Sequence, residues 1–388
     1  MFTLKVPAVP YADPWNQPLP ERLRMLQGGR QRVAYFYESA NNSTFRYRAY
    51  NMANVLKAAP QSEYGAGWFF RTDLEHVDLI ADSSDRLVIC RSGYDHTIGH
   101  LISRFRARGK PVFFDIDDFV FNTEYTHLII DTLALDKDDP LVWEQWFAMI
   151  SRMGQTLRLC DAAITTTPFL ARQIEAFSQR PAAVVPNFMN PEQLALSAAV
   201  FEEKQQRRFR GEGPVCVGYF SGSPSHKHDF AIAEAALASL LARNADLRLM
   251  MVGYIEPGPA LAPFASQIIR QPFHDYVNLQ KLIGTVEFNL MPLQSNVFTD
   301  SKSELKYFEA AAVGTLSIAS PSRNYAAAIE HGHNGYIARA HQWERVIAQA
   351  LSRSAEYEAM ALRAHEHAMQ RYSWQTQRAG IVAALNLG

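Results

Sequence analysis

The sequence contains few cysteines, no long apolar run and almost no net charge. Three of its 388 residues are cysteine (Cys90, Cys160 and Cys216), and their wide spacing does not match a metal site. We expect them to be small apolar residues of a protein from a reducing compartment. No run approaches the ~20 apolar residues that span a bilayer, and the N-terminus lacks the pattern of a signal peptide. We therefore expect a soluble, cytoplasmic protein.

The charge balance and the missing motifs argue against several classes of protein. Lysine and arginine number 38 against 39 aspartate and glutamate, for a net charge of -1, which does not favour bulk binding of nucleic acid. The sequence contains no HExxH, no P-loop, no GxGxxG and no serine in a nucleophile elbow. These absences argue against a zinc protease, a P-loop enzyme and a serine hydrolase.

Two series of apolar strands alternate with helical segments. Strands are predicted at 32–37, 67–70, 86–91, 111–118, 162–167 and 182–186, and then at 215–220, 247–253, 267–271, 285–293, 315–319 and 335–338. Such alternation is typical of doubly wound parallel sheets. The charged, glycine-ended stretch 202–213 is predicted to be a linker. The fold class is therefore α/β, with two halves that face a cleft.

The stretch 300–320 carries the most informative pattern. Ser301 and Glu304 have the spacing of a capping box, which predicts that a helix begins there. The helix N-terminus and Lys302 attract an anion. Glu309 lies seven residues after Lys302, on the same predicted face, and can accept hydrogen bonds from a sugar diol. A phosphate-binding end beside a diol acceptor indicates a nucleotide site, and the alternative is a solvated surface helix.

A loop in the same half offers a second contact to that anion. Gly222-Ser223 directly follows the first strand of the second series, where a glycine allows a phosphate to approach the backbone. His226 and Lys227 follow within reach of the same anion. A glycine turn after a strand is also common without any ligand, so this loop indicates a site only together with the helix just described.

Three carboxylates end the strand 111–118. On a strand, Asp115 and Asp117 point to one side and Asp118 to the other. They can hold a metal ion for a diphosphate, bind an acceptor or act as general base, or cap the following loop, and the sequence leaves these alternatives open. Because adjacent carboxylates repel each other, at least one is expected to pair with a donor such as Arg91.

The basic residues of two predicted helices have two interpretations each. Arg46 and Arg48 begin the helix after the first strand, where surface charge and ligand contact are equally compatible. The helix 97–107 ends in basic residues that either face an anionic membrane or complement the helix dipole. These are Arg104, Arg106, Arg108 and Lys110. Residues 141–160 carry aromatic side chains at helical spacing, which we interpret as core.

With these features in view, the sequence resembles a GT-B glycosyltransferase, in particular the family 4 group of bacterial enzymes that use nucleotide sugars. The similar segments are Val217 to Ser223, Lys302 to Gly314 and His331 to Gly335. The stretch 109–119 also resembles a branch of surface-polysaccharide transferases. The rest of the N-terminal half matches only in pattern.

The resemblance implies a domain division and an activity. It implies two Rossmann-like domains, an acceptor-binding domain at 1–205 and a donor-binding domain at 206–373, with 374–388 crossing back to the first. The implied reaction moves a sugar from a nucleotide-diphosphate sugar to a glycan or lipid-linked acceptor, in the assembly of surface polysaccharide such as O-antigen. Retention of anomeric configuration is implied, no metal or other cofactor is required, and the partners include no nucleic acid. Peripheral contact with the inner membrane fits a lipid-linked acceptor.

The family carries two glutamates eight positions apart. The second matches Glu309, which the resemblance makes the contact to the nucleoside's sugar hydroxyls. The first position is Ser301, so the contact to the transferred sugar is altered, which suits a deoxy sugar such as rhamnose. Lys302 matches one of the family's two basic residues on the diphosphate, and Lys227 matches the other loosely.

The predicted site therefore has three parts. Donor binding is predicted for Gly222, Ser223, His226, Lys227, Ser301, Lys302, Ser303 and Glu309; catalysis for Lys302, Asp115, Asp117 and Asp118; and the acceptor side for Arg46 and Arg91. Three rivals remain: a metal-dependent GT-A transferase that uses Asp115 and Asp117, a sugar-nucleotide epimerase, and a protein that binds a nucleotide sugar without turnover.

Overall fold

The computed structural model describes residues 1–59 and 63–386 and contains two parallel sheets of six strands each. Each sheet is covered on both faces by helices, and an apolar cluster lies on either face. Burial on both faces explains why the strands read as continuous apolar runs rather than as alternating patterns. The α/β fold class with two parallel sheets is confirmed.

The N-terminal half contains the first sheet. Its strands are β1 (Gln31–Phe36), β2 (Tyr64–Phe69), β3 (Arg86–Cys90), β4 (Val112–Ile116), β5 (Ala162–Thr165) and β6 (Ala182–Val184). Its helices are α1 (Leu19–Gln27), α2 (Asn51–Lys57), α3 (Val77–Ser83), α4 (His96–Arg106), α5 (Thr126–Thr132), α6 (Pro140–Leu159), α7 (Pro168–Ser178) and α8 (Pro191–Gln206). A π-helical turn, Arg46–Tyr50, leads into α2. The strand order is β2-β1-β3-β4-β5-β6, and Tyr35 of β1 lies between Trp68 of β2 and Val88 of β3.

The C-terminal half contains the second sheet. Its strands are β7 (Val215–Ser221), β8 (Leu247–Gly253), β9 (Ile268–Gln271), β10 (Phe288–Met291), β11 (Leu316–Ala319) and β12 (Tyr336–Ile337). Its helices are α9 (Lys227–Arg243), α10 (Asn278–Gly284), α11 (Val297–Asp300), α12 (Leu305–Ala312), α13 (Arg323–Ala328), α14 (Trp343–Ser352) and α15 (Tyr357–Tyr372), and α16 (Arg378–Ala384) ends the chain. The order β12-β11-β10-β7-β8-β9 is that of a Rossmann domain, read from β9 as 3-2-1-4-5-6.

All twelve predicted strands occur in the described residues, but the predicted linker is wrong over its first part. Helix α8 continues to Gln206 because one of its faces is buried against α10 and α12. Lys204 on that face is fully buried and donates from Nζ to Thr315 Oγ1 (3.1 Å). A charged stretch with no apolar periodicity is thus the end of a helix that joins the halves. The division of the chain at residue 205 stays a prediction.

The predicted capping box at Ser301 and Glu304 is also wrong. Ser301 follows the separate short helix α11, and its hydroxyl donates to the carbonyl of Val297 (2.7 Å). Helix α12 begins four residues later, with Glu304 in the N-cap position. Lys302 therefore lies in the loop between two helices, and it does not share a helix face with Glu309.

The aromatic helix has fully buried apolar residues in its second half and partly exposed ones in its first. In α6, Ile150 and Leu157 are fully buried, whereas Leu141 is 58% and Phe147 is 38% exposed. Trp143 stacks on Phe147 with ring centroids 4.9 Å apart. The prediction of core is therefore wrong for Leu141 and Phe147, whereas Trp146 in the same two turns packs against an apolar cluster of the N-terminal half.

Both ends of the chain cross between the halves. Phe2 packs in an apolar cluster of the C-terminal half, whereas Trp15 packs against the N-terminal sheet. In α16 and just after it, Ile381 and Leu385 lie in the same cluster as Trp15. The predicted crossing of the last helix back to the first half is confirmed, and positions 387–388 of its predicted span lie outside the described residues.

The cysteines, the length of the helices and the basic end of α4 can each be compared with the predictions from the sequence. The three cysteines are buried and free, as expected. None of the described helices is long and apolar enough to cross a membrane. The arginines at the end of α4 form ion pairs within the protein, with Asp78, Asp82 and Asp161.

Candidate functional site

A cavity of about 530 Å³ lies between the two sheets. Residues at or after the ends of β1, β3 and β4 line it from the N-terminal half, and those of β7, β8, β9 and β10 line it from the C-terminal half. Open α/β sheets bind ligands at the carboxyl ends of their strands, where the strand order reverses. That reversal lies between β7 and β10 in the second sheet, so the cavity occupies the expected position.

Most of the predicted site residues line this cavity. They are Gly222, Ser223, His226, Lys302, Ser303 and Glu309 from the C-terminal half, and Arg46, Arg91, Asp117 and Asp118 from the N-terminal half. Three predicted residues do not line it, namely Asp115, Lys227 and Ser301.

Asp115 is buried behind the cavity. Its carboxylate accepts two hydrogen bonds from the guanidinium of Arg48, at 2.7 and 3.0 Å, and both side chains are 0% exposed. Arg48 also donates to the carbonyl of Val185 (2.8 Å). The strand ends one residue later, so Asp117 lies in the next loop, where it lines the cavity and Asp115 does not. A carboxylate enclosed in this way cannot reach a ligand, so the predicted catalytic or metal-binding role of Asp115 is wrong.

Lys227 and Ser301 are turned away for local reasons. A short helical turn, Pro224–His226, directs His226 toward the cavity and leaves Lys227 exposed at the start of α9. The hydroxyl of Ser301 is buried on the carbonyl of Val297, as described above. The structure therefore does not bring Lys227 or Ser301 to the cavity, and donor contact by these two residues stays a prediction.

Two lysines supply positive charge on the C-terminal side. Lys302 Nζ lies 3.7 Å from Asp118 Oδ1, across the cavity, and 4.5 Å from the ring centroid of Phe298. Lys306, in the first turn of α12, lies with Nζ 5.1 Å from the ring centroid of Tyr219 and forms no ion pair within the described residues. Burial lowers the pKa of Lys306 to about 8, and repulsion by Lys302 adds to that shift. An anion bound between the two lysines would relieve this repulsion.

The loop after β7, which contains Gly222 and Ser223 and is called the glycine loop below, leaves space for an anion beside these lysines. A Cβ at Gly222 would meet no atom within 4 Å, so the fold itself does not require glycine there. Ser221 Oγ donates to the carbonyl of Ser223 and shapes the turn. His226 Nδ1 lies 3.0 Å from Asp229 Oδ2, and burial lowers the pKa of His226 to about 4. The imidazole is therefore neutral at neutral pH and leaves the positive charge to the lysines.

Glu309 meets the N-terminal half of the molecule. Its Oε1 atom accepts hydrogen bonds from the hydroxyl of Tyr47 (2.6 Å) and the amide of Gln193 (3.0 Å), and the guanidinium of Arg46 lies 3.6 Å away. The residue is 6% exposed. Oε2 has no hydrogen bond to the described residues, so it is the oxygen that a ligand can use.

Arg91 organises the N-terminal side. Its φ of +37° is left-handed, which costs a non-glycine residue about 1 kcal/mol or more and is common at functional sites. The guanidinium contacts Asp117 (3.2 Å), Asp118 (3.4 Å) and the hydroxyl of Thr44 (3.1 Å). The expected pairing of these carboxylates with Arg91 is confirmed. Asp118 Oδ1 has no hydrogen-bond partner in the described chain and faces Lys302.

Sequence reasoning missed several residues that line the cavity. Lys306 could have been predicted from the sequence, because it precedes Glu309 by three residues and therefore lies on the same face of one helix. Tyr47 had none, because its contact to Glu309 joins residues 262 positions apart. An apolar wall on the C-terminal side was also missed; it consists of Val252, Phe273, Tyr276, Leu279 and Ile283.

Comparison with known proteins gives a family match for the C-terminal half. Residues 214–356 match the family model described as "Glycosyl transferases group 1". That segment includes β7, the glycine loop and α12. No curated protein sequence matches this chain.

Solved structures resemble the chain over most of its length. HepE from Anabaena, in complex with UDP-glucose, shares 11% identity and a TM-score of 0.61, over 91% of this chain and 99% of that one. A glycosyltransferase from Rickettsia africae shares 11% identity and a TM-score of 0.60, over 91% and 97%. Sucrose-phosphate synthase from Thermosynechococcus elongatus shares 13% identity and a TM-score of 0.56, over 90% and 97%. The chain therefore has the GT-B fold, and the GT-A alternative is wrong.

Proposed function

We propose that this chain is a glycosyltransferase that moves a sugar from a nucleotide-diphosphate sugar to a glycan or lipid-linked acceptor. The observation that carries the proposal is the meeting of Lys302, Lys306 and Glu309 around α12, in the cavity between the halves. The family match over residues 214–356 includes all three residues. The likeness to HepE, whose structure holds UDP-glucose, supports a nucleotide sugar as donor.

In the proposed complex, the diphosphate lies between the glycine loop and the two lysines. The first backbone N–H groups of α12 have no partner within the helix and add to this anion site. The ribose hydroxyls donate to Glu309 Oε2. The apolar wall that contains Phe273 and Tyr276 then faces the nucleobase.

The proposed chemistry uses charge on both sides of the cavity. As the bond to the sugar breaks, negative charge develops on the leaving diphosphate, and Lys302 and Lys306 stabilise it. Positive charge develops on the sugar, as in glycoside chemistry generally, and Asp118 faces that region from the other half and can accept a hydrogen bond from the acceptor hydroxyl. We propose retention of configuration. Because two lysines supply the cationic charge, we also propose that the reaction needs no metal ion.

The nature of the sugar and the cellular role extend the same proposal. Residue 301 is a serine where the family has a glutamate, and its hydroxyl is turned to the carbonyl of Val297, away from the cavity. No carboxylate at this position therefore holds the hydroxyls of the transferred sugar, which suits a deoxyhexose such as rhamnose. We propose a cytoplasmic reaction in the assembly of bacterial surface polysaccharide such as O-antigen. A lipid-linked acceptor would bring the enzyme into peripheral contact with the inner membrane.

A donor screen with two lysine variants tests the proposal. UDP, GDP and dTDP, with and without sugars, are added in a thermal-shift assay, where a ligand at 100 times its Kd adds about 2.7 kcal/mol of stability. Transfer of radiolabelled sugar is then measured with and without EDTA. Lys302→Ala is expected to lower turnover by about 100-fold or more, with Lys227→Ala as the exposed control that retains wild-type turnover.

The outcomes separate the proposal from its rivals. If no nucleotide shifts the melting temperature, the proposed donor class is wrong. Binding without transfer or hydrolysis would favour a protein that senses a nucleotide sugar, and conversion of the donor without an acceptor product would favour an epimerase. Loss of activity in EDTA would contradict the metal-free mechanism. Equal turnover in Lys302→Ala and Lys227→Ala would remove Lys302 from the site.

A further inference from the structure

Glu309 is held by residues that lie outside its own sheet domain. Tyr47 and Arg46 belong to the π-helical turn of the N-terminal half, and Gln193 belongs to the first turn of α8, the helix that joins the halves. All three act on the same oxygen of the carboxylate. The network is buried, because Arg46 and Tyr47 are 4% and 3% exposed and Gln193 is fully buried.

This network leaves the carboxylate with little freedom to rotate. Tyr47 donates to Oε1 at 2.6 Å, which is short for a hydroxyl and is typical of a bond to a charged acceptor. Burial raises the pKa of the Tyr47 phenol far above its ordinary value, so the hydroxyl remains a donor across the working pH range. The guanidinium of Arg46 lies between the rings of Tyr47 and Tyr276, 4.0 and 4.2 Å from their centroids, and donates to Gln193 Oε1 (3.0 Å).

The unequal treatment of the two oxygens has a chemical consequence. With two donors and one cation at Oε1, that oxygen has no capacity left for a ligand. Oε2 carries no bond to the described residues, and Glu309 lines the cavity. A carboxylate fixed at one oxygen presents the other in one orientation, so less conformational freedom is lost when a ligand binds.

We propose that Tyr47 is a positioning residue that orients Glu309 for the ribose hydroxyls and couples contact between the halves to donor binding. The inference rests on the proposed function, because it takes a nucleotide as the ligand of Glu309. The bond from Tyr47 exists only while the two halves are in contact across the cavity. Donor affinity therefore depends on a residue of the half that does not contain the donor-binding helix.

A purely structural role for Tyr47 makes a different prediction. If the hydroxyl only held the halves together, its loss would weaken the binding of every nucleotide by the same factor. If it orients Glu309, its loss weakens nucleotides that carry ribose hydroxyls and leaves nucleotides that lack them unchanged. The ratio of two affinities therefore distinguishes the roles, even when the absolute affinities change.

The experiment measures Kd by calorimetry for UDP or GDP, whichever the wild type binds more tightly, and for its 2′,3′-dideoxy form. The wild type is expected to prefer the ribose form by about ten-fold or more, since a hydrogen bond to a charged group has been lost in the other. In Tyr47→Phe we expect that preference to fall to about three-fold or less. Tyr50→Phe is the matched control: its hydroxyl donates to Glu192 (2.8 Å) outside the cavity, so the wild-type preference is retained.

A second variant keeps the test informative if Tyr47→Phe does not fold. Gln193→Met removes the other donor to Oε1 and is expected to reduce the preference for ribose in the same direction. If Tyr47→Phe or Gln193→Met binds nucleotides with the wild-type preference, the positioning role is wrong while the proposed function stands. A wild type that does not distinguish the two forms would also overturn the inference. A wild type that binds none of UDP, GDP and dTDP would contradict the proposed function itself.

Discussion

The two halves of the molecule share an architecture and differ in the charge they place at the cavity. Both are parallel six-stranded sheets whose carboxyl ends face each other. The C-terminal edge presents Lys302 and Lys306, whereas the N-terminal edge presents Asp117 and Asp118 held by Arg91. The sheets determine where the edges meet, and the loops after the strands determine the chemistry. Such an edge can be specialised for an anion in one half and for hydroxyl groups in the other.

Each half also contains a buried carboxylate, and the two differ in how many of their oxygens the protein occupies. Asp115 uses both oxygens on Arg48 and is 0% exposed, so nothing remains for a ligand. Glu309 uses one oxygen on its protein partners and keeps the other. Burial of a carboxylate alone therefore does not identify a site; the number of oxygens left unpaired at a cavity does.

The largest expected effect separates the two kinds of carboxylate. Asp115→Asn leaves the guanidinium of Arg48 buried without its counter-charge, which is expected to lower the free energy of unfolding by about 3–5 kcal/mol. Asp118→Asn changes a residue at the cavity and is expected to lower turnover while the free energy of unfolding stays within about 0.5 kcal/mol. Urea unfolding and a transfer assay on both variants check this contrast. Equal stability of Asp115→Asn and wild type would show that the buried pair of Arg48 and Asp115 does not stabilise the N-terminal half.

The sequence was sufficient for the sheets because parallel strands are buried on both faces. Their apolar runs, bounded by turn residues, need no long-range information to be recognised. The same holds for the glycine loop and for Glu309, whose positions relative to strand ends follow from chain order. The reversal of strand order places these ends together once the sheet topology is known.

The errors concern features that depend on distant residues. The capping box at Ser301 failed because α11, a four-residue helix, already uses that serine. The linker failed because Lys204 finds a buried partner in Thr315, 111 residues away. Asp115 was misassigned because its partner Arg48 belongs to another strand-helix unit. In each case local pattern was overridden by a tertiary contact that no window of sequence contains.

The pH dependence of Lys306 sharpens the contrast between stability and binding. The pKa of this lysine is lowered from 10.5 to about 8, so the unfolded chain holds the proton more tightly. Between these values the unfolded state binds more protons, and the free energy of unfolding therefore rises with pH. Diphosphate binding needs the charged lysine and is expected to weaken above pH 8 by up to about ten-fold per pH unit.

Chemical unfolding and Kd for UDP or GDP, measured from pH 7 to 10, check these opposite signs. Lys306→Met is expected to lose both trends, and Lys306→Arg, which stays charged, to retain tight binding at high pH. Burial also lowers the pKa of Lys204, so the difference between wild type and Lys306→Met isolates the contribution of Lys306. Affinity that stays constant up to pH 10 in the wild type would contradict its role at the diphosphate.

The smallest effect distinguishes a glycine that the fold needs from one that the ligand needs. A Cβ at Gly222 would meet nothing within 4 Å, whereas a Cβ at Gly218 would lie 2.7 Å from the ring of Phe220. We expect Gly222→Ala to unfold like wild type and to bind the nucleotide about three- to ten-fold more weakly, because a phosphate approaches the backbone there. Gly218→Ala, the control, is expected to lose about 1–3 kcal/mol of stability through overpacking. Unchanged nucleotide affinity in Gly222→Ala would show that the diphosphate does not approach this loop and rests on the lysines alone.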